Sequence, residues 1–263
     1  MSLDPPARGA RFCVLARAAK TIVSLLAAAA VWWLVAALEL APADLFPAPS
    51  AVWTAFVELY RDGLMLADLC VSLMRAAIGF LIGAGLGVTV GLLTARTEAF
   101  RFALNPLLTV LRPIPAIALV PVAIVWFGIG EESKYFVISY TVFLAVWLNT
   151  HHGMEHIPET YLRASRSLGA SRAREFFQVV IPASAPHIVA GLRLGASLAF
   201  LSLVAAELTG ASAGIGYRLQ EARQYIRMDR MFVGLIELGL LGAALDWFFV
   251  SMSRRIVHWE RSQ

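Results

Sequence analysis

His152-Gly-Met-Glu155-His156 is a stretch of this 263-residue chain whose residue types and spacing match a catalytic pattern. It fits H-x-x-E-H, in which two histidines one helical turn apart bind zinc beside a glutamate that serves as base. The surroundings argue against that use. The match falls just past an apolar run, in a polar linker, with no third ligand evident, so the histidines read as a solvated helix end. Nucleotide chemistry is excluded more firmly. Lys20 and Lys134 are the only lysines and neither follows a glycine, so no G-x-x-x-x-G-K-[ST] loop is present to cradle phosphates. Any nucleotide energy must come from another chain, and the sequence predicts no catalytic residue, metal or cofactor of its own.

The elements around this stretch are those of a membrane protein. Hydrophobic residues make up 59% of the chain and charged residues only 15%. Six runs fit helical spans of about 30 Å of hydrocarbon, at residues 21–38, 69–95, 102–128, 135–149, 185–208 and 231–253. The predicted fold is therefore all-α. It has a cytoplasmic segment 1–20, a transmembrane domain 21–256 with a cytoplasmic loop 150–184 between spans four and five, and a cytoplasmic tail 257–263. The first run is longer than a signal peptide needs and lacks a small-residue cleavage site, so it is expected to be retained. With the N-terminus inside, the inner segments hold thirteen basic residues: Arg8, Arg11, Arg17, Lys20, Arg96, Arg101, Arg163, Arg166, Arg172, Arg174, Arg254, Arg255 and Arg261. The outer segments hold six: Arg61, Lys134, Arg218, Arg223, Arg227 and Arg230. Topology thus explains the net charge of +4 better than a nucleic-acid partner does. Cys13 and Cys70 are expected at opposite ends of the membrane, which implies no disulfide framework.

Within the spans, Gly79, Gly83, Gly87 and Gly91 form three overlapping G-x-x-x-G steps on one helical face. A stripe without side chains lets another backbone approach closely, so this helix is expected at the centre of the bundle or at a subunit interface. Pro113, Pro115 and Pro121 bend or break span three. Unwound backbone at that depth must be buried or line a wet cavity, which makes Arg112, Pro113 and Pro115 pathway candidates, a plain kink being the alternative. An ionisable side chain at mid-bilayer costs about 2.5 to 3.5 kcal/mol. Arg193 and Asp246 come to the same depth and are predicted to pair, while Arg75 is expected to find Glu207 or Glu237. Between spans one and two, PAPSAVWTAFVELYRDG reads as a short helix capped by Ser50 and stopped by Gly63, lying at the outer interface or packed on the bundle.

The charged stretch RSLGASRAREFFQVVIPASAP, residues 166–186, stands apart from these runs. Pro158 suits a first helical turn, Gly169 a left-handed stop and Ser171 a cap for a second helix that Pro182 ends. Ala173, Phe176, Phe177 and Val180 form its apolar face. Such a pair cannot bury that face alone and either docks on a partner or folds back under its own membrane domain.

The segment resembles the signature cytoplasmic loop of permease subunits of binding-protein-dependent ABC importers, whose pattern is E-A-A, three residues, glycine, nine residues, an aliphatic, one residue, leucine, proline. Arg163-Ala164-Ser165, Gly169, Val179, Ile181 and Pro182 hold those positions. Arg163, Ser165 and Ile181 depart from the family's Glu, Ala and Leu. FPAPSAVWTAF, SLMRAAIGF, RPIPAIALVPVAIVWFGIGEESK, AGLRLGASLAFLSLVAAELTGASAGIGY and LDWFF are similar to the nitrate, sulfonate and taurine branch. The resemblance implies an ATPase-coupling loop that includes Leu168, Ala170, Ser171, Phe176 and Phe177. It also implies a homodimeric pore, two cytoplasmic ATPases carrying ATP and magnesium, a periplasmic substrate-binding protein and residence in a bacterial inner membrane. Arg218, Arg223, Arg227 and Arg230 would then meet the binding protein or attract an anion, a solvated helix being the alternative. Import of another small nutrient, such as a pyrimidine vitamin precursor or an aromatic acid, is a rival within transport. A self-sufficient channel or carrier and an intramembrane metalloprotease are rivals outside it.

Overall fold

The computed structural model describes residues 7–42 and 44–256, with side chains from 20 to 251, and among these every regular element is helical. The predicted tail 257–263, residues 1–6 and the side chains of Cys13, Arg8, Arg11, Arg17, Arg254, Arg255 and Arg261 lie outside the described residues. Eleven helices follow in order: α1 Ala7–Ala37, α2 Pro49–Arg61, α3 Leu64–Arg96, α4 Glu98–Leu111, α5 Ala116–Phe127, α6 Glu131–Glu155, α7 Glu159–Ser167, α8 Arg172–Glu175, α9 Ile181–Gly210, α10 Ile215–Gln224 and α11 Met228–Ile256. Four of these are long and apolar enough to cross a membrane, or five when α4 and α5 are taken as one bent pair.

The glycine stripe determines the centre of the bundle. Gly79, Gly83, Gly87 and Gly91 lie against Ile138, Val142, Val146 and Thr150 of α6, so each step of four on one helix meets a step of four on the other. A Cβ at these glycines would come within 2.6 to 2.8 Å of the Cβ opposite, closer than atoms can pack. Because both numbers rise together, α3 and α6 run parallel. Between them α4 and α5 must carry the chain back across the bundle despite a bend of 106°. α9 runs antiparallel on the other side of α6, with Gly191 at Asn149 and Gly195 at Val146. Ala84, Ile138, Val142, Val146, Phe200 and Leu203 fill the space between the three.

Several expectations need correction. Span three is two helices rather than one: Pro113 and Pro115 supply no N–H, and the chain turns at Arg112–Pro115, while Pro106 and Pro121 sit inside helices without ending them. Span four is the 25-residue α6, whose polar ends masked its length in the sequence. Pro182 does not stop the second helix of the charged hairpin. Because it occupies the first turn of α9, where an N–H is dispensable, the helix runs on through a π turn at Phe176–Val180. At α2 the cap is Ala48 with Pro49 first in the helix, not Ser50. That helix buries Val52, Ala55 and Leu59 against Trp32, Phe232 and Val233, so it packs on the bundle, with Trp53 and Tyr60 exposed.

Candidate coupling, pathway and outer-loop sites

The hairpin is built as two helices hinged at a left-handed residue. α7 ends with Gly169 at φ 76°, its N–H donating to Arg166 O at 3.0 Å and that of Ala170 to Ser165 O at 3.0 Å. These are the paired bonds of a Schellman end. Ser171 Oγ then accepts from the Arg174 N–H at 3.3 Å and starts α8. A cross-brace absent from the sequence reading fixes the angle: Glu175 is buried and accepts from Arg166 Nε at 2.8 Å, with Ser165 Oγ at 3.4 Å. The Arg166 guanidinium holds the Glu175 carboxyl below the usual carboxylate range. Arg163, where the family pattern has glutamate, pairs with Glu159 one turn earlier.

The four residues read as one apolar face separate, because the π turn shifts their phase. Phe176 stacks under the guanidinium of Arg96, 4.5 Å away at the end of α3, and Val180 is buried. Phe177 is 66% exposed, Ala173 points outward, and across the joint Leu168 is 88% exposed. Ala164, Ser171 and Pro182 are also exposed, with Ala170, Val179 and Ile181 partly covered. The hairpin is thus anchored along one side and leaves an apolar edge of Tyr161, Leu168 and Phe177 uncovered.

At the break of the third span, the Leu111 carbonyl accepts from the Ile114 N–H at 3.1 Å within the turn and from the Tyr140 hydroxyl at 2.6 Å, which ties the turn to α6. Arg112, Pro113 and Pro115 line a cavity of about 570 Å3 with Thr141, Asn149 and Ser202. Among the described residues Arg112 has no ion pair. On the opposite side of α9, Asp246 Oδ1 accepts from Arg193 Nε at 3.0 Å and from a terminal nitrogen at 2.8 Å, with both side chains about half exposed.

The densest polar cluster ties the loop after α9 to three helices. Arg75 donates twice to Glu131 at 2.6 Å, and its remaining terminal nitrogen donates to Glu207 at 2.8 Å and to Ala213 O at 2.6 Å. Glu207, 1% exposed, also accepts from Ser72 Oγ at 2.8 Å and Gly216 N at 2.9 Å. Gly214 N donates to Asp68 at 2.7 Å and Ile215 N to Ser72 Oγ at 2.9 Å. Arg75 therefore takes Glu207 together with Glu131, while Glu237 faces a separate cavity of about 320 Å3 beside Asp68 and Arg218. Of the four outer arginines, Arg218 binds Asp68 and Glu221, Arg227 binds Asp229 and Arg230 lies 3.6 Å from Glu58. Arg223 is exposed and has no ion pair among the described residues.

The H-x-x-E-H residues have local partners. His156 Nδ1 lies 2.8 Å from His152 O, and Glu155 lies 3.4 Å from His151 and 4.0 Å from Arg101. No group of three His, Cys, Asp or Glu side chains among the described residues is placed to hold a metal.

Comparison with known proteins gives these features a family. The profile of the binding-protein-dependent transport system inner membrane component matches residues 87–258. A putative aliphatic sulfonates transport permease protein of Bacillus subtilis is 34% identical over 89% of this chain and 84% of its own length. The taurine transport system permease protein of Escherichia coli is 31% identical, over 87% and 85%. In fold, the chain is similar to one in an inward-facing methionine ABC transporter (TM-score 0.61, 19% identity, 70% of this chain and 92% of that one). An amino acid ABC transporter crystallised with histidines gives a TM-score of 0.62 at 15% identity, covering 77% and 97%. The chain belongs to the binding-protein-dependent transport system inner membrane components and is a permease subunit of an ABC importer, not an enzyme.

Proposed function

We propose that this permease imports a small anionic solute of the sulfonate, nitrate or taurine kind, delivered by a periplasmic binding protein and driven by a separate ATPase. The relatives' printed substrates supply the solute class. Two copies form the pore in a bacterial inner membrane, with both termini cytoplasmic, and ATP and magnesium reside on two partner ATPases. The chain crosses six times, by α1, α3, α4 with α5, α6, α9 and α11. The parallel register of α3 and α6 supports counting the bent pair as one crossing.

One observation carries the coupling role. The hairpin keeps Tyr161, Leu168 and Phe177 uncovered while its other side is pinned to α3 and runs directly into α9. Leaving such side chains in water forfeits about 1.5 to 3 kcal/mol apiece for the larger ones, which docking in an ATPase groove recovers. Movement of the ATPases then reaches α9 and the broken span beside it, opening the cavity at Arg112 to one side of the membrane or the other.

Purification of the tagged protein from native membranes in mild detergent tests this. Wild type should bring an ATPase with it, and L168D with F177D should lose it while remaining an oligomer, since both side chains are exposed in the subunit. A homo-oligomer without ATPase in wild type and variant alike would favour a self-sufficient carrier. For the pathway, Arg112→Gln is expected to reduce uptake of the anion roughly tenfold with ATP hydrolysis retained, because a lone guanidinium at an unwound turn attracts negative charge. Unchanged uptake would remove Arg112 from the pathway.

A further inference from the structure

The cavity of about 320 Å3 between α2, α3, α10 and α11 has no part in the transport role, and its charges do not balance. It shares no lining residue with the cavity at Arg112. Three arginines line it and each is taken: Arg218 by Asp68 and Glu221, Arg227 by Asp229 at 2.7 Å, and Arg230 by Glu58 at 3.6 Å. With Glu237 on the same wall, five carboxylates stand against three guanidiniums. Glu237 is the one left over. Among the described residues it has no ion pair, and its Oε1 is enclosed without a hydrogen-bond partner. Arg230 is only half used, because it reaches Glu58 through a terminal nitrogen while its Nε–H is enclosed with no acceptor. Buried polar groups are nearly always paired, so both side chains call for a partner that the fold around them does not supply.

The chemistry of that partner follows from the two groups and the wall between them. Glu237 needs a positively charged donor, and Arg230 needs an acceptor. The two positions are two turns apart on one face of α11, about 10.5 Å along the axis, with Val233 and Gly234 between them and Leu59, Met65 and Ile215 on the facing walls. A metal ion does not suit the site, since no group of three His, Cys, Asp or Glu side chains among the described residues is placed to hold one. Water supplies hydrogen bonds but not the missing positive charge, and a proton on Glu237 leaves Arg230 unserved. The volume lies at the small end of ligand pockets, which run from about 300 to 1,000 Å3. We infer that this cavity binds a small zwitterion, an ω-amino acid or aminosulfonate, with its ammonium on Glu237, its short carbon chain along Val233 and Met65, and its acid group on Arg230. The site goes beyond the importer reading: it belongs to each subunit, stands outside the pathway, and ties α11 to α2 and α3 when filled.

Equilibrium binding of radiolabelled taurine, β-alanine and γ-aminobutyrate tests the site, on protein purified with its partners into lipid nanodiscs and with no binding protein added. At least one of the three should bind with a Kd below about 10 mM. It should bind about tenfold more tightly than propionate or propylamine, which offer one charge each. Glu237→Gln keeps the shape of the side chain and is expected to weaken the zwitterion about tenfold while leaving propionate unchanged. Arg230→Lys keeps the charge that faces Glu58 but removes the Nε–H, and is expected to weaken the zwitterion severalfold while leaving propylamine unchanged. A split by ligand end is something that two merely structural residues would not give. Absence of zwitterion binding in wild type, or equal affinity for the zwitterions and the single charges, would overturn the proposal and leave a hydrated cavity only. Loss of binding in Arg112→Gln with retention in Glu237→Gln would move the ligand to the pathway and overturn it as well. Zwitterion binding with the expected split, but without ATP-driven uptake of any anion, would sink the importer reading and leave this site standing.

Discussion

Glu207→Ala is expected to leave no assembled protein in the membrane. The carboxylate is 1% exposed and serves Arg75, Ser72 and the Gly216 N–H at once. Its loss leaves a guanidinium that is itself 3% exposed with the half-exposed Glu131 as its one remaining carboxylate, and removes the bond that holds Gly216 N to α9. Breaking a buried pair from one side costs about 3 to 5 kcal/mol, a large share of the 5 to 15 kcal/mol or so that holds a domain together. Size-exclusion profiles of a fluorescent fusion read the result directly. Glu207→Gln, which keeps the shape and some hydrogen bonds, should fall between, and removal of both charges by R75M with E207L should recover more protein than either single change. A monodisperse Glu207→Ala protein with an unchanged melting point would mean that Glu131 alone can hold Arg75.

Gly87→Leu is expected to be nearly as damaging, and Gly85→Leu, half a turn away, harmless. A Cβ at Gly87 would lie 2.8 Å from Val146 Cβ and 2.9 Å from Phe143 O, which is backbone and cannot swing aside. α3 and α6 would have to separate along the whole stripe, at a cost of about 1 to 3 kcal/mol or more. Nothing lies within 4 Å of the same atom at Gly85. Expression and thermal stability of the two variants should therefore diverge, although their hydropathy is identical. Equal behaviour would show that the glycine stripe does not set the helix spacing.

Much of this could be read from the chain. Four glycines at intervals of four show that a close neighbour exists, and Gly169 and Ser171 mark the hairpin's joint, because local backbone geometry decides both. The partner of the stripe was not legible. α6 carries two glutamates and a lysine in its first turn and histidines in its last, so hydropathy alone shortens it. Glu131 as the second partner of Arg75 was missed for a related reason: it opens a helix 56 residues downstream, and nothing local links the two. Pro182 misled because a proline reads as a stop unless the residues before it already form a helix that it can join. The four outer arginines looked alike in sequence, and only the fold separates three that are neutralised from one that is not.

The π turn at Phe176–Val180 has a consequence for how insertions and deletions act. A π turn accommodates one residue more than the surrounding α-helix, so it absorbs a single extra residue without ending the rod from Arg172 to Gly210. Deleting one residue within the π turn would return the rod to uniform winding with the hairpin at nearly its present azimuth, whereas deleting one later, within α9, would rotate everything before it by about 100° around the axis. Phe177 and Leu168 would then point a quarter-turn away from their present azimuth, and Phe176 would leave Arg96. The π turn is thus the place where the chain can lose a residue without changing the angular phase between the hairpin and the membrane helix.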